Sequence, residues 1–317
     1  MPLTLEEYAD YLDKRTDLSW PSLPAIQPRK AKPWLTQLPG IRGVVWGCYG
    51  ILVAISGGEL IWLPQDKFVT ELAFDKVVRE FKLWQAMTRK PGNPAEHLCA
   101  MYRQVLEELQ FQASGRDRYP EVRAEKVWEA LFKKLKPSDF SFDPLFYGDF
   151  TDFCLKVAYF YQRSIQATRP MPQLAAVLEQ AAERLDFQGL LADGQAFSRL
   201  HLQRGLHEQG LQEALEHFIP DAHQVWSYQF GARKPSERLF RELLERTRRA
   251  GLEPHEVLFV GCSVEADIAP ARRLGFRTAL FVGDKSAVRA KNEQINDPRT
   301  RPDVLCTELS QILECLG

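Results

Sequence analysis

Residues 256–283 read EVLFVGCSVEADIAPARRLGFRTALFVG, and this stretch decides the fold. VLFV at 257–260 and TALFV at 278–282 are short continuous apolar runs, the pattern of strands buried on both faces. Between them VEADIAPARRLG has helical spacing, and Gly275 closes it. Strand, helix, strand within 28 residues predicts a parallel pair joined by a crossover. The same alternation extends in both directions. Upstream, FQGLLAD (187–193) and HQVWSYQ (223–229) read as strands, followed by the helices SRLHLQRGL (198–206) and PSERLFRELLERTRRAG (235–251). Downstream, PDVLCT (302–307) and LSQILECL (309–316) complete the set. An earlier strand is read in GVVWGCYGILVAI (43–55), where Gly47 and Gly50 break the apolar run into a tight loop. SGG at 56–58 is expected to turn a hairpin between LVAI and ELIWL. The fold class that follows is α/β, a doubly wound parallel sheet.

Residues 67–184 interrupt that pattern with helical periodicity alone, in KFVTELAFDKVVREFKLWQAM, PAEHLCAMYRQVLEELQF, PEVRAEKVWEALFKKL, DFTDFCLKVAYFYQRSI and PQLAAVLEQAAERL. Pro94, Pro120 and Pro172 are placed at helix starts, where a missing N–H costs nothing. The expected organisation is therefore an α/β core over 39–66 and 185–317, with an all-helical insertion over 67–184. Residues 1–38 form a short amphipathic helix and a proline-rich arm, with prolines at 21, 24, 28 and 33. The arm reads either as a strap across its own chain, which would cover Trp20 and Trp34, or as a docking segment for a protein partner. Aromatics in the insertion, including Phe68, Phe74, Phe81, Trp84, Trp128, Phe153 and Tyr159 to Tyr161, read as core packing rather than a ligand cage. RKPG at 89–92 reads as a solvated turn.

Composition excludes several classes. A formal charge of −1 over 317 residues gives no field that would draw the chain to nucleic acid or to a membrane. The opening MPLTLEEYADYLDKR has no apolar signal-peptide core, and no run is long enough to span a bilayer. Six cysteines, with no C-x-x-C pair and no Cys/His cluster, argue against zinc and for a reducing, cytoplasmic setting.

Ligands of such a sheet bind at the carboxyl ends of the strands. The loops there are Gly47-Cys48-Tyr49-Gly50, Ala192-Asp193-Gly194, Gly231 to Pro235 with Lys234, and Gly261-Cys262-Ser263 with Asp267 just beyond. In their order and spacing, and above all in GARKPSERLF and FVGCSVEADIAPARRLGFRTALF, these loops resemble the four motifs of the haloacid dehalogenase (HAD) superfamily. The resemblance covers about residues 40–317. It implies a Rossmann-like core with a helical cap, and phosphoryl transfer with Mg²⁺ through an aspartyl intermediate.

Against that pattern the catalytic positions are substituted. The first motif, D-x-D-G-T-L in phosphatases and D-x-Y-G-T-L in 2-haloacid dehalogenases, reads Gly47-Cys48-Tyr49-Gly50-Ile51-Leu52. Tyr49 matches the dehalogenase form. Gly47 has no side chain and cannot attack carbon or phosphorus. Ala192 replaces the hydroxyl of the second motif, Lys234 keeps the lysine of the third, and Cys262 replaces the first acid of the fourth while Asp267 keeps the second. Two carboxylates that would hold Mg²⁺ are gone, so no cofactor is expected.

The reading is a HAD-like protein without the aspartyl chemistry, binding a small anion or a protein partner. Cys48, Tyr49, Gly50, Asp193, Gly194 and Lys234 are the candidate ligand contacts, through the loop N–H groups and the lysine charge. Lys234 reads equally as a structural partner for Asp267. The alternative is a phosphatase- or dehalogenase-like hydrolase with a displaced nucleophile such as Cys262, whose thiol a nearby Lys234 could activate.

Overall fold

A computed structural model of the chain describes residues 1–83, 93–135 and 140–316. They group into two compact units: residues 1–22, 61–167 and 195–200 in one, and 23–60, 168–194 and 201–317 in the other.

The second unit is the α/β core. Its strands are β1 (Gly43–Trp46), β4 (Phe187–Ala192), β5 (Gln224–Trp226), β6 (Val257–Gly261), β7 (Arg277–Phe281) and β8 (Val304–Cys306), with β2 (Val53–Ile55) and β3 (Thr168–Pro170) forming a separate ribbon. The six-stranded sheet is parallel throughout, in the order β5-β4-β1-β6-β7-β8. The first strand is thus central, flanked by β4 and β6, and the order reverses beside it. That switch point is where loops part to leave a crevice. One face of the sheet packs Val44, Trp46, Leu190, Leu258 and Val260 into a single apolar cluster, and the other packs Val45, Leu191, Phe259 and Phe240. Trp46 is fully buried, and its indole N–H is satisfied by Gln188 Oε1 on β4 at 3.1 Å.

Three expectations are corrected. The 56–58 turn does not return into ELIWL. Its Gly58 N–H closes on Ile55 at 2.8 Å, but β2 pairs antiparallel with β3, more than a hundred residues later. The second change concerns the helix Leu174–Arg184, placed in the insertion by its periodicity, which groups with the core because Leu174, Val177, Leu178 and Ala181 pack in the sheet's own cluster. Helical spacing alone does not say which body a helix's apolar face joins. The third is in the helix starts. Pro94 does open a helix, behind the Asn93 cap, whereas Pro120 precedes the helix Ala124–Lys134 and Pro172 precedes Leu174–Arg184.

The first unit is helical, with Lys67–Glu80, Pro94–Ser114, Ala124–Lys134 and Phe150–Ile165 as its main elements. Phe74, Tyr102, Trp128 and Tyr161 form one aromatic core, with ring centroids 4.9–5.7 Å apart among the pairs Phe74–Tyr161, Tyr102–Trp128 and Trp128–Tyr161. Phe68 is the exception and stands 71% exposed. Trp84 and the RKPG turn at 89–92 lie outside the described residues.

The arm divides between the units. Helix Leu5–Asp13, with a Thr4–Glu7 capping box, belongs to the helical unit. Trp20 sits edge-on to Phe160, with the Arg163 guanidinium 4.5 Å and the Lys76 ammonium 5.5 Å from its ring. In the core unit, Trp34 exchanges backbone bonds with Leu305 of β8 at 3.2 and 3.1 Å. No helix among the described residues is long and apolar enough to cross a membrane.

Candidate functional site

The four expected loops come together at the carboxyl ends of β1, β4, β5 and β6, all within the core unit. The loop after β1 is tightly tied. Gly47 donates its N–H to Val260 on β6 at 3.1 Å, and the Cys48 carbonyl accepts from Ile51, Leu52 and Val53. Gly50 takes a φ of +80° and donates to Val53 at 2.8 Å. A β-carbon there would collide with Ala287 and stand 3.2 Å from the Cys262 sulfur, so the loop packs without spare room. A β-carbon on Gly47 would come within 2.5 Å of Ile51 Cδ1. The isoleucine methyl occupies the space a side chain at 47 would need.

At the second loop, Ala192 is buried and offers no donor. Gly194 is held by Ser227, which accepts its N–H at 2.9 Å and donates back to its carbonyl at 3.1 Å. Asp193 Oδ1 accepts the Lys234 backbone N–H at 2.8 Å. Burial pushes the Asp193 carboxyl up, with Lys234 and Arg233 opposing.

Lys234 Nζ lies 2.6 Å from Asp267 Oδ1, with the two side chains 11% and 2% exposed. The other Asp267 oxygen accepts from the backbone N–H groups of Cys262 and Ser263 at 3.0 and 2.9 Å. This bond pattern caps a single π-turn, Val264–Ile268, a local form common at functional sites. Burial works against the Lys234 charge, but Asp267 and then Asp193 outweigh it, and the net effect raises its pKa. The Cys262 thiol is pushed up to about 12 by burial and by Asp267, and Lys234 only partly offsets this. Cys48 is likewise pushed up to about 12 by burial. Burial thus disfavours both thiolates despite the nearby lysine.

Two features were not read from the sequence. Tyr49 hydroxyl and His201 Nδ1 are 2.9 Å apart. His201 lies in the first turns of helix Ser198–Glu208, which follows the second loop, so a helix leaving a strand end was the available signal. His223 and His255 lie just before β5 and β6, at the amino ends of the strands. The second feature is the segment after β7. Asp284, almost fully buried, is anchored by Ser286, and Arg289 exchanges backbone bonds with Cys262 and Val264 at 2.9 Å. Gly58 approaches the Ser286 carbonyl so closely that no side chain could fit.

The loop N–H groups are thus mostly committed. Those of Gly47, Gly50, Gly194, Cys262 and Ser263 all have protein acceptors. The expected glycine cradle is narrower than its sequence implies, because Val260, Val53 and Ser227 satisfy its donors. Mg²⁺ also meets a poor donor set. Positions 47 and 262 carry no carboxylate, and both Asp267 oxygens are engaged. A groove of about 700 Å³ within the helical unit, lined by Lys67, Glu71, Glu96 and Arg103 among others, contains none of the motif residues.

A family model described as HAD-hydrolase-like matches residues 231–312, the third and fourth loops with their flanking elements. A glyceraldehyde 3-phosphate phosphatase of Methanopyrus kandleri is 26% identical over 162 residues, half of this chain and 60% of the relative's length. Among solved structures, a 2-haloacid dehalogenase of Pseudomonas syringae pv. Tomato DC3000 superposes with a TM-score of 0.52 at 18% identity, over 87% of this chain and 97% of that one. A HAD phosphatase of Thermococcus onnurineus gives 0.47 at 18% identity, over 87% and 98%. The chain shares its fold with that dehalogenase.

Proposed function

We propose that this HAD-hydrolase-like protein uses its strand-end site to hold a small ligand without covalent chemistry. The observation that carries the reading is the pair Gly47 and Ile51. The position of the attacking carboxylate has no side chain, and an apolar methyl stands in its space. Asp267 neutralises Lys234 and Asp193 lies beside it, so a ligand with a single negative charge suits the site better than a multiply charged phosphate ester. Mg²⁺ is expected to bind weakly, because the available oxygens already serve the ion pair and the π-turn. The six free thiols suit a reducing, cytoplasmic setting. The packing of Trp20 and Trp34 on their own chain supports the strap reading of the arm over partner docking.

A second reading, hydrolysis, is favoured by the comparisons, since the matching family model and the archaeal relative are both named for hydrolases. It needs a nucleophile other than residue 47. Cys262 is a poor one at neutral pH. Burial and Asp267 push its thiol up to about 12, so little thiolate is present at neutral pH.

One experiment separates the readings. The purified protein is incubated with glyceraldehyde 3-phosphate, other phosphomonoesters and 2-haloacids, with and without Mg²⁺, and released phosphate or halide is measured. The expected result is release no faster than in the protein-free control, together with a thermal shift from small monocarboxylates that does not depend on Mg²⁺. Turnover that is lost in Lys234→Ala would overturn the non-covalent reading and establish the second.

A further inference from the structure

We propose that the outer side of the arm, where it crosses the segment after β7, is a docking surface for an acidic peptide segment of a partner protein. Residues 27–34 are held in place by five contacts within the core unit. The Gln27 carbonyl accepts the Lys285 N–H at 2.7 Å, and its side-chain oxygen accepts from the Lys285 ammonium at 2.6 Å. The Arg29 N–H donates to the Val282 carbonyl at 2.9 Å, and its guanidinium to the Ala290 carbonyl at 2.6 Å. Trp34 joins β8, and the Arg301 guanidinium lies 5.5 Å from its ring. Cations far apart in the chain are thereby gathered on one surface: Arg29, Lys30 and Lys32 from the arm, with Lys285, Lys291 and Arg301. All but the half-buried Arg29 are exposed.

The acids nearby do not neutralise this group. Asp303 pairs with Arg272 and Arg277, Asp297 with Arg299, and Glu59 with Arg289. The base is also fixed. The Arg289 backbone is bonded to Cys262 and Val264, and Ala287 is packed against Gly50, so little ordering is needed when a partner arrives. The strap reading of the arm stands. Its tryptophans face its own chain, and the partner meets the lysines on its outer side.

Three features favour spaced carboxylates over a nucleic acid. The two guanidiniums, which would grip phosphate bidentately, are engaged by the Ala290 carbonyl and the Trp34 ring, which leaves lysines as point charges. Trp34 is half-buried and offers no open face for a base to stack on. Glu293, exposed two positions after Lys291, would repel a uniform polyphosphate, whereas a peptide can place an uncharged residue there.

The test is fluorescence anisotropy on the full chain, with a labelled peptide of alternating glutamate and serine as the probe. Its glutamine analogue and an oligouridylate of equal length serve as comparisons. The expected result is saturable binding of the glutamate peptide alone, weakened several-fold as salt rises from about 0.05 to about 0.2 M. The triple variant Lys30→Glu, Lys32→Glu, Lys291→Glu should lose about tenfold or more in affinity with its urea midpoint unchanged. Lys67→Glu, on the helical unit, should bind as wild type does. Should the triple variant not fold, Lys30→Gln with Lys32→Gln decides, by a loss of several-fold. The proposal is overturned if the folded arm variant binds as tightly as wild type, if Lys67→Glu loses as much, if the oligouridylate binds more tightly than the peptide, or if no saturable binding is found at low salt.

Discussion

Ile51 Cδ1 stands 2.5 Å from the point where a side chain on Gly47 would begin. The two substitutions are therefore one change in packing. Gly47→Asp alone is expected to overpack the loop and lower stability by about 1–3 kcal/mol, read as a shift in the urea midpoint. Adding Ile51→Thr should recover most of the loss. An unchanged midpoint in the single variant would show that the isoleucine yields without strain. Neither variant should gain a Mg²⁺-dependent thermal shift until Cys262→Asp is also present, because Asp267, the acid kept in the fourth loop, already serves Lys234 and the Cys262 and Ser263 N–H groups.

The Lys234–Asp267 pair is the second point of test. Both side chains are nearly buried, so removing one leaves the other uncompensated. Lys234→Met is expected to cost about 3–5 kcal/mol. Asp267→Ala should cost at least as much, since it also strands the N–H groups of Cys262 and Ser263. Chemical denaturation measures both, and a loss under 1 kcal/mol for either would mean that water replaces the pair.

Alkaline pH probes two thiols of the site, the buried Cys48 and the part-buried Cys262. Cys48 and Cys262 titrate near 9.0 when free and are pushed up to about 12 in the fold. Between those values the native state keeps protons that the unfolded chain has released, so stability falls as pH rises. Each thiol contributes about 1.4 kcal/mol per pH unit in that window. Lys234 has a raised pKa, so its stabilising contribution is complete below its ordinary 10.5 and adds no slope there. Denaturation between pH 8 and 10.5 should show the decline, and Cys48→Ala should make it shallower. An equal slope in the variant would mean that Cys48 ionises freely in the fold.

Tyr49→Phe removes the hydroxyl bonded to His201 and is expected to cost about 0.5–1.5 kcal/mol. An unchanged urea midpoint would show that this bond does not contribute.

These sites were unequally legible. The parallel core could be read because VLFV, TALFV and GVVW are apolar on both faces, and only central parallel strands tolerate that. The motif loops could be read because their residue types are tied to strand ends by spacing. The Tyr49–His201 contact could not, because it spans 152 positions and depends on how far a helix rotates after leaving β4. The commitment of the Gly194 N–H to Ser227 was hidden for the same reason, as was the β2–β3 pairing. The misplaced helix Leu174–Arg184 shows the limit of periodicity, which gives an apolar face but not the surface it meets.

The bonds between Trp34 and Leu305 place backbone from the arm along β8, the last strand of the sheet. An uncovered terminal strand is a template for pairing with another chain. The Trp34 bridge therefore covers that edge at Leu305. A chain lacking its first 38 residues is expected to form concentration-dependent oligomers that light scattering detects, whatever ligand the site holds.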